Sequence, residues 1–317
     1  MRYAAKKLAS LILTMLIVTL MTFIAFSLIS GDPASTMLGT NAEADEIEAL
    51  RDELGLNKPL HVRYIDWVRG FFTGDLGSSY RYRSQSVVEL ISPKLQVTLI
   101  LSVMSFLMII IVSLPLGLVA AGAKSCFYRR FRSALNRLVM AVPSFFTGLI
   151  VTWIFGITLK WFTHGSYVSW SVSPAKSIAY LVYPAICIAL PRIAMTVNML
   201  SSTVEAELRK DYARTVRSRG ARESKLLFGH ILKNSLPPII TFLGQTAAEI
   251  IAASVIVEQV FMVPGLGRFL ISSISNRDYP VVEAIVVIIA LWVVASSTAA
   301  DLINLGVDPR LRRGAGE

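Results

Sequence analysis

Four ionisable residues stand within or at the margins of long apolar runs: Arg192, Glu249, Glu283 and Asp301. A charge in an apolar medium is costly, so such a residue finds a partner, water or a charged ligand. Glu249 sits mid-run, too far from either end for its side chain to reach out. Two readings stand for it. It lines a polar translocation path, or it bonds structurally to a neighbouring helix. Arg192 follows Pro191, which kinks the run. Arg192 is a second candidate for the path, although its long side chain can also reach out of the apolar core. Glu283 and Asp301 lie near run ends and can reach an interface.

A second constellation is the stretch DYARTVRSRGARESKLLFGH, residues 211–230. Arg214, Arg217, Arg219, Arg222 and Lys225 crowd between two apolar runs. Leu208, Tyr212 and Val216 recur at helical spacing ahead of Gly220. The pattern predicts two short, partly amphipathic helices hinged at that glycine. Alternatively, a basic loop serves only to fix topology or to meet anionic lipid.

Enzymatic constellations are missing from the sequence. His61, His164 and His230 are far apart and fall on two sides of the predicted membrane, so no metal site is expected. There is no CxxC, HExxH, G-x-S-x-G or phosphate-binding loop. No cofactor is expected in this chain, and any ATP and Mg must be bound by another. Cys126 falls in a loop and Cys187 in a run, so no disulfide is expected.

The elements that must position these residues are apolar helices. The 317 residues are 54% hydrophobic and 16% charged, with a mean hydropathy of +0.60, against about 25% charged in soluble chains. About 20 apolar residues cross a bilayer as a helix. Six runs qualify: 8–29, 97–123, 138–162, 178–200, 236–257 and 281–305. The expected fold is therefore all-α, a polytopic membrane protein with six transmembrane helices. The first run is too long for a signal peptide and lacks an A-x-A site, so it is read as an uncleaved helix.

Loop charges orient these helices. Arg2, Lys6 and Lys7 precede the first run. Lys124, Arg129, Arg130, Arg132 and Arg137 lie between the second and third, with no acid. Residues 201–235 hold eight basic and four acidic residues, and Arg310, Arg312 and Arg313 close the chain. On the other side, residues 31–96 hold seven basic and ten acidic residues. Both termini and the 211–230 stretch are thus expected in the cytoplasm. The net charge of +10 is explained by these loops, with no call for nucleic acid.

Residues 1–96 are read as the first transmembrane helix plus an external helical cap. Thr40 or Asn41 would start a helix with Ile47, Leu50 and Leu54 inward, closed by Gly55. Tyr64, Trp67, Val68 and Phe71 mark a second helix, and "GDLGSSY" a turn. This cap either packs on the membrane or helps dock an external partner; the two are compatible. Residues 97–317 are read as a five-helix core with its cytoplasmic loop at about 201–235. Pro237 and Pro238 are expected to open the fifth span. Phe269, Leu270 and Ile274 predict a re-entrant or interfacial helix after "FMVPGLG", and Trp170 an interface anchor.

The order of short motifs resembles a known family, the B-type permease subunit of bacterial ABC importers for dipeptides, oligopeptides and nickel. The motifs are "SGDPAS", "LGLNKPLHVRYIDWV", "GDLGSSY", "VPSFFTGL", "DYARTVRSRGARESKLLFGHILKNSLPP", "VIVEQVFMVPGLGRFL", "NRDYPVV" and "DPRLR". The resemblance spans nearly the whole chain. It implies a type I ABC importer transmembrane domain in the bacterial inner membrane, half of a path for peptides. Nickel or metal–opine complexes are alternative cargoes. The implied partners are a homologous second permease in a heterodimer, two cytoplasmic ATPases and an external substrate-binding protein. The 211–230 loop becomes the coupling segment gripped by an ATPase, with Tyr212, Arg214, Thr215, Arg217, Gly220, Ala221, Lys225 and His230 as its working residues. Two departures matter. Arg214, Thr215 and Val216 occupy the place of the wider superfamily's Glu-Ala-Ala, so the ATPase contact falls to other groups such as Arg214 or Arg217. Glu249 and Arg192 stand where the family is usually apolar and uncharged, which points to substrate preference. An intramembrane enzyme or a stand-alone channel is the competing reading of another class. It requires a catalytic cluster in the spans or function without ATPases.

Overall fold

The computed structural model describes residues 2–29, 33–38, 43–82, 85–122 and 125–307. The expected cap at Thr40 or Asn41 and the closing arginines Arg310, Arg312 and Arg313 lie outside the described residues. The described elements are helices, with one isolated antiparallel bridge between Ser78 and Ser86.

Helix α1 (Arg2–Ile29) is followed by three cap helices, α2 (Pro33–Leu38), α3 (Ala44–Glu53) and α4 (Leu60–Thr73). Gly55 and Gly74, both at positive φ, close the latter two. The aromatic stripe of α4 does what its spacing predicts. Tyr64 and Trp67 pack on Phe23 of α1, and the Tyr64 hydroxyl lies 3.0 Å from Thr19 Oγ1.

The core comprises α5 (Val87–Gly122), α6 (Cys126–Ala141), α7 (Ser144–Val151), α8 (Pro174–Leu208), α9 (Asp211–Ser218), α10 (Glu223–Leu226), α11 (Leu232–Val260), α12 (Leu266–Ser275) and α13 (Tyr279–Val307). Among the described residues five helical stretches are long and apolar enough to cross a bilayer: 7–28, 87–122, 174–208, 223–260 and 279–307. The third expected span differs. Helix α6 meets α7 and its π-helical continuation (Thr152–Thr158) at 91°. Pro143 makes the corner, because it lacks an N–H and holds extended backbone before α7.

Packing gives each helix its direction. Helices α5 and α8 run parallel: Val97 and Leu101 share a buried cluster with Tyr180 and Leu181, and Gly117 leaves room for Leu200. The chain therefore recrosses between them, through α7 and its π-helical continuation beyond the bend. Helix α11 runs back along α8, with Phe261 receiving the Tyr180 hydroxyl on its carbonyl at 2.6 Å. Helix α13 returns along α11: a Cβ at Gly244 would overlap Ala300, Trp292 Nε1 donates to the Ala247 carbonyl at 2.9 Å, and Asn304 Nδ2 to Thr241 Oγ1 at 2.8 Å. Small residues let helices approach closely where lipid gives no hydrophobic drive. Lys7 reaches Asp301 at 2.6 Å, so α1 is antiparallel to α13. The start of α1, α6, α9, α10 and the end of α13 thus share one face. The cap helices and α12 share the other.

Several span boundaries differ from expectation; α8, for one, runs on to Leu208, eight residues past its expected end. Helix α5 starts at Val87, ten residues early, and carries Pro93 inside it. Pro237 and Pro238 lie within α11 rather than at its start, because a π-helical turn at Leu227–Ile231 joins α10 to α11.

Candidate functional site

The basic stretch folds back on the helix ends as a bracket. Helix α9 turns Ala213 fully inward and packs Tyr212 and Val216 on Leu200, Val204 and Leu226. The Tyr212 hydroxyl donates to Glu207 Oε2 at 2.7 Å. Burial pushes this phenol up, and the Glu207 carboxylate adds to the shift. Gly220 then turns the chain with φ +75°, and its N–H reaches the Arg217 carbonyl at 2.9 Å. Across that turn Arg217 clasps Glu223 through two bonds of 2.9 and 3.2 Å, which raises the guanidinium pKa. Arg214, Thr215, Lys225 and His230 face outward. Arg214 is 75% exposed and lies 3.6 Å from Asp211. Ala221 is half-buried.

The two expected path residues meet. Arg192 Nη1 on α8 forms an ion pair with Glu249 Oε2 on α11, and Gln245 Nε2 donates to the other carboxylate oxygen at 3.1 Å. Their side chains are 23% and 36% exposed. Of the readings open for Glu249, a bond to another helix is present, and the carboxylate is also partly exposed. Arg192 turns to this partner instead of extending toward the helix end.

Sequence reasoning missed a third group. Glu258, which lies one residue beyond the apolar run 236–257, is fully buried at the end of α11. It accepts from Thr98 Oγ1 at 2.6 Å and from the Arg268 N–H at 3.1 Å, while Thr98 Oγ1 accepts from the Leu266 N–H at 2.8 Å. A carboxylate at a helix N-terminus satisfies orphan donors and the positive end of the dipole. Gly265 is required there, since a Cβ would overlap the carboxylate. The signal in the sequence was the acid closing an apolar run just ahead of a Pro-Gly-x-Gly helix start.

A fourth group ties the cap to the core. Asp278, buried between α12 and α13, accepts from Ser79 Oγ at 2.5 Å and from the Tyr80 N–H at 3.0 Å. Thus "GDLGSSY" and "NRDYP", nearly 200 residues apart, form one joint. Burial pushes the Tyr80 phenol up to about 12, with the Glu283 carboxylate next in effect. Arg63, Asp66, Tyr80 and Glu283 line a cavity of about 400 Å³ between α1, α4 and α13. His61 and His164 lie on this face and His230 on the opposite one. Among the described residues no three His, Cys, Asp or Glu side chains gather as a metal would need. Cys187 is a buried free thiol.

Residues 113–313 match the family described as binding-protein-dependent transport system inner membrane component, and residues 1–102 match the N-terminal family of such membrane components. A Brucella abortus protein named as a peptide transport system permease is 35% identical over 307 residues, 97% of this chain and 98% of the relative. The oligopeptide transport system permease protein AppB of Bacillus subtilis is 33% identical over 299 residues, 93% of this chain and 94% of the relative. The dipeptide transport system permease protein DppB of Alkalihalophilus pseudofirmus is 30% identical over 330 residues, 98% of this chain and 99% of the relative.

Proposed function

The chain belongs to the family of binding-protein-dependent transport system inner membrane components, and on that premise we propose that it forms half of the membrane path of an ATP-driven importer of di- or oligopeptides. The names of the relatives support the cargo class. The chain is a multi-pass membrane permease and not a catalytic enzyme. ATP and Mg belong to two cytoplasmic ATPase partners. A homologous permease supplies the other half of the path, and an external binding protein delivers the cargo. The membrane is the bacterial inner membrane, with both termini cytoplasmic. The loop charges support that orientation.

The observation that carries the reading is the α9–Gly220–α10 bracket. Its inner face packs on α8 and α11, and its outer face presents Arg214, Thr215, Lys225 and His230. Force applied to such a bracket passes directly into two spans. Closure of the ATPases would move the bracket, and α8 and α11 would carry the motion to the Arg192–Glu249 level. There the paired charges line the path and set preference among charged cargoes.

Co-purification of the tagged chain from its host tests the reading. ATP-hydrolysing subunits should co-elute, and the reconstituted complex should hydrolyse ATP faster with its binding protein and peptide than with the binding protein alone. A chain that moves peptide without co-eluting ATPases would favour the stand-alone channel. Externally added thiol reagent should label cysteines placed at Asp45 and Ser171, and spare those at Ser133 and Arg222. Labelling at Ser133 in intact cells would overturn the orientation.

A further inference from the structure

Helix α6 carries features that the transport cycle does not use. Phe127, Phe131, Leu135 and Leu138 form one exposed ridge at three- and four-residue spacing. The 91° corner after it sets α6 across the direction of the α7 crossing, so it lies along the membrane surface on the bracket's side. A basic amphipathic helix in that attitude is built for the boundary between headgroups and acyl chains.

Beside the ridge, a cleft of about 580 Å³ opens between α6 and α8. Arg130, Arg132, Arg137, Ser133 and Asn198 line it, with Glu205 as its acid. Three arginines against one glutamate leave a net charge of +2. Arg132 Nη2 is 3.8 Å from Glu205 Oε1, too long for a hydrogen bond, and Arg132 Nη1 is buried with no acceptor. Arg137 bonds to Ser133 on its own helix. Among the described residues no carboxylate lies within ion-pair distance of Arg130 or Arg137. A buried donor without an acceptor is costly, and guanidinium groups match phosphate oxygens in geometry and charge.

We propose that this cleft binds the phosphate of an anionic phospholipid, with the acyl chains lying along the Phe127–Leu138 ridge. Charge complementarity selects an anionic headgroup over a zwitterionic one. The ridge selects a lipid over a free anion, which would leave four large apolar side chains in water.

The test uses the intact complex with its partner subunits, stripped of lipid in neutral detergent. Native mass spectrometry then counts retained dioleoyl phosphatidylglycerol and dioleoyl phosphatidylcholine. The exposed double variant Arg130→Gln/Arg137→Gln should retain phosphatidylglycerol more weakly, by about five-fold per arginine removed. Phosphatidylcholine retention should not change. Arg137→Lys should keep most of the binding, and Arg69→Gln on the opposite face all of it. Arg132→Gln, which removes the orphaned donor, should weaken retention in complexes that assemble normally. Equal phosphatidylglycerol retention by wild type and double variant overturns the proposal. So does inorganic phosphate binding as tightly as the lipid, which would mark a free-anion site. A photo-crosslinker at Leu135 should capture lipid; capture of the second permease chain instead assigns the ridge to that subunit and also overturns it.

Discussion

Arg192 of α8 and Glu249 of α11 are 57 positions apart in the chain and form one ion pair midway along two antiparallel spans. Each helix alone would carry an uncompensated charge, eased on α11 only by the Gln245 amide; together they are neutral. Removing one partner leaves the other unpaired. For a fully buried pair that costs about 3–5 kcal/mol, but these side chains are partly exposed, so about 1–2 kcal/mol is expected. Glu249→Gln and Arg192→Gln should each lower the melting temperature of the complex and change uptake unequally among cationic, neutral and anionic peptides. The swap Arg192→Glu/Glu249→Arg should recover stability while reversing the order of preference. A swap that recovers stability with the order unchanged leaves only a structural role.

The pair also marks a boundary of what the sequence can reveal. Apolar runs and loop charges expose the spans because membrane helices carry their own hydrogen bonds. The Gly220 hinge and the inward stripe of α9 are equally local and equally legible. Prolines mislead: Pro93, Pro237 and Pro238 look like boundaries, yet helices run through them. Charge near a run end misleads too, and Glu258 passes for a solvated loop residue. Its true environment comes from α5 and α12, which no local pattern connects to it. Arg192 and Glu249 were each visible as costly, but only the antiparallel packing of α8 and α11 joins them.

The Glu258 node predicts a graded series. Glu258→Ala leaves the Thr98 hydroxyl and the first N–H groups of α12 without their buried acceptor, at about 1–3 kcal/mol. Gly265→Ala forces a methyl group into the same carboxylate, at about 1–3 kcal/mol from overpacking. Because both changes act on one contact, the double variant should cost less than the sum. Thermal unfolding of the purified complex measures all three. Strict additivity would show that the two residues do not share a site.

The Tyr80 joint predicts an alkaline limit for the cap. Burial raises its phenol to about 12 in the folded chain, against about 10 when unfolded. The neutral form is favoured by folding, so this contribution is complete below pH 10 and is lost as pH rises through 12. The segment 74–82 should therefore become sensitive to protease in that window, and Tyr80→Phe should remove that part of the pH dependence. Asp278→Ala should expose the segment already at neutral pH, because it removes the acceptor of both Ser79 Oγ and the Tyr80 N–H. Limited proteolysis followed by mass spectrometry locates the cuts. Identical pH profiles for wild type and Tyr80→Phe would discard the assignment.

The bracket predicts a defect in coupling without a defect in assembly of the spans. Gly220 has φ +75° and a Cβ there would meet nothing within 4 Å, so the obstacle to substitution is backbone conformation and not packing. A β-branched residue strongly resists the left-handed region, whereas Asn visits it readily. Gly220→Val should redirect α10, separate Arg217 from Glu223 and misplace the outward face; Gly220→Asn should be nearly silent. Reversing Arg214 should weaken ATPase binding in a salt-dependent manner, since exposed charges are screened. Reversing Arg217 should do so less directly, by opening the clasp with Glu223. The measurements are ATPase co-purification and peptide-stimulated hydrolysis beside wild type. Loss of stimulation in Gly220→Val with insertion intact, and its retention in Gly220→Asn, is the expected pattern. Normal stimulation in both variants would remove the bracket from the path of force and place coupling elsewhere on the same face.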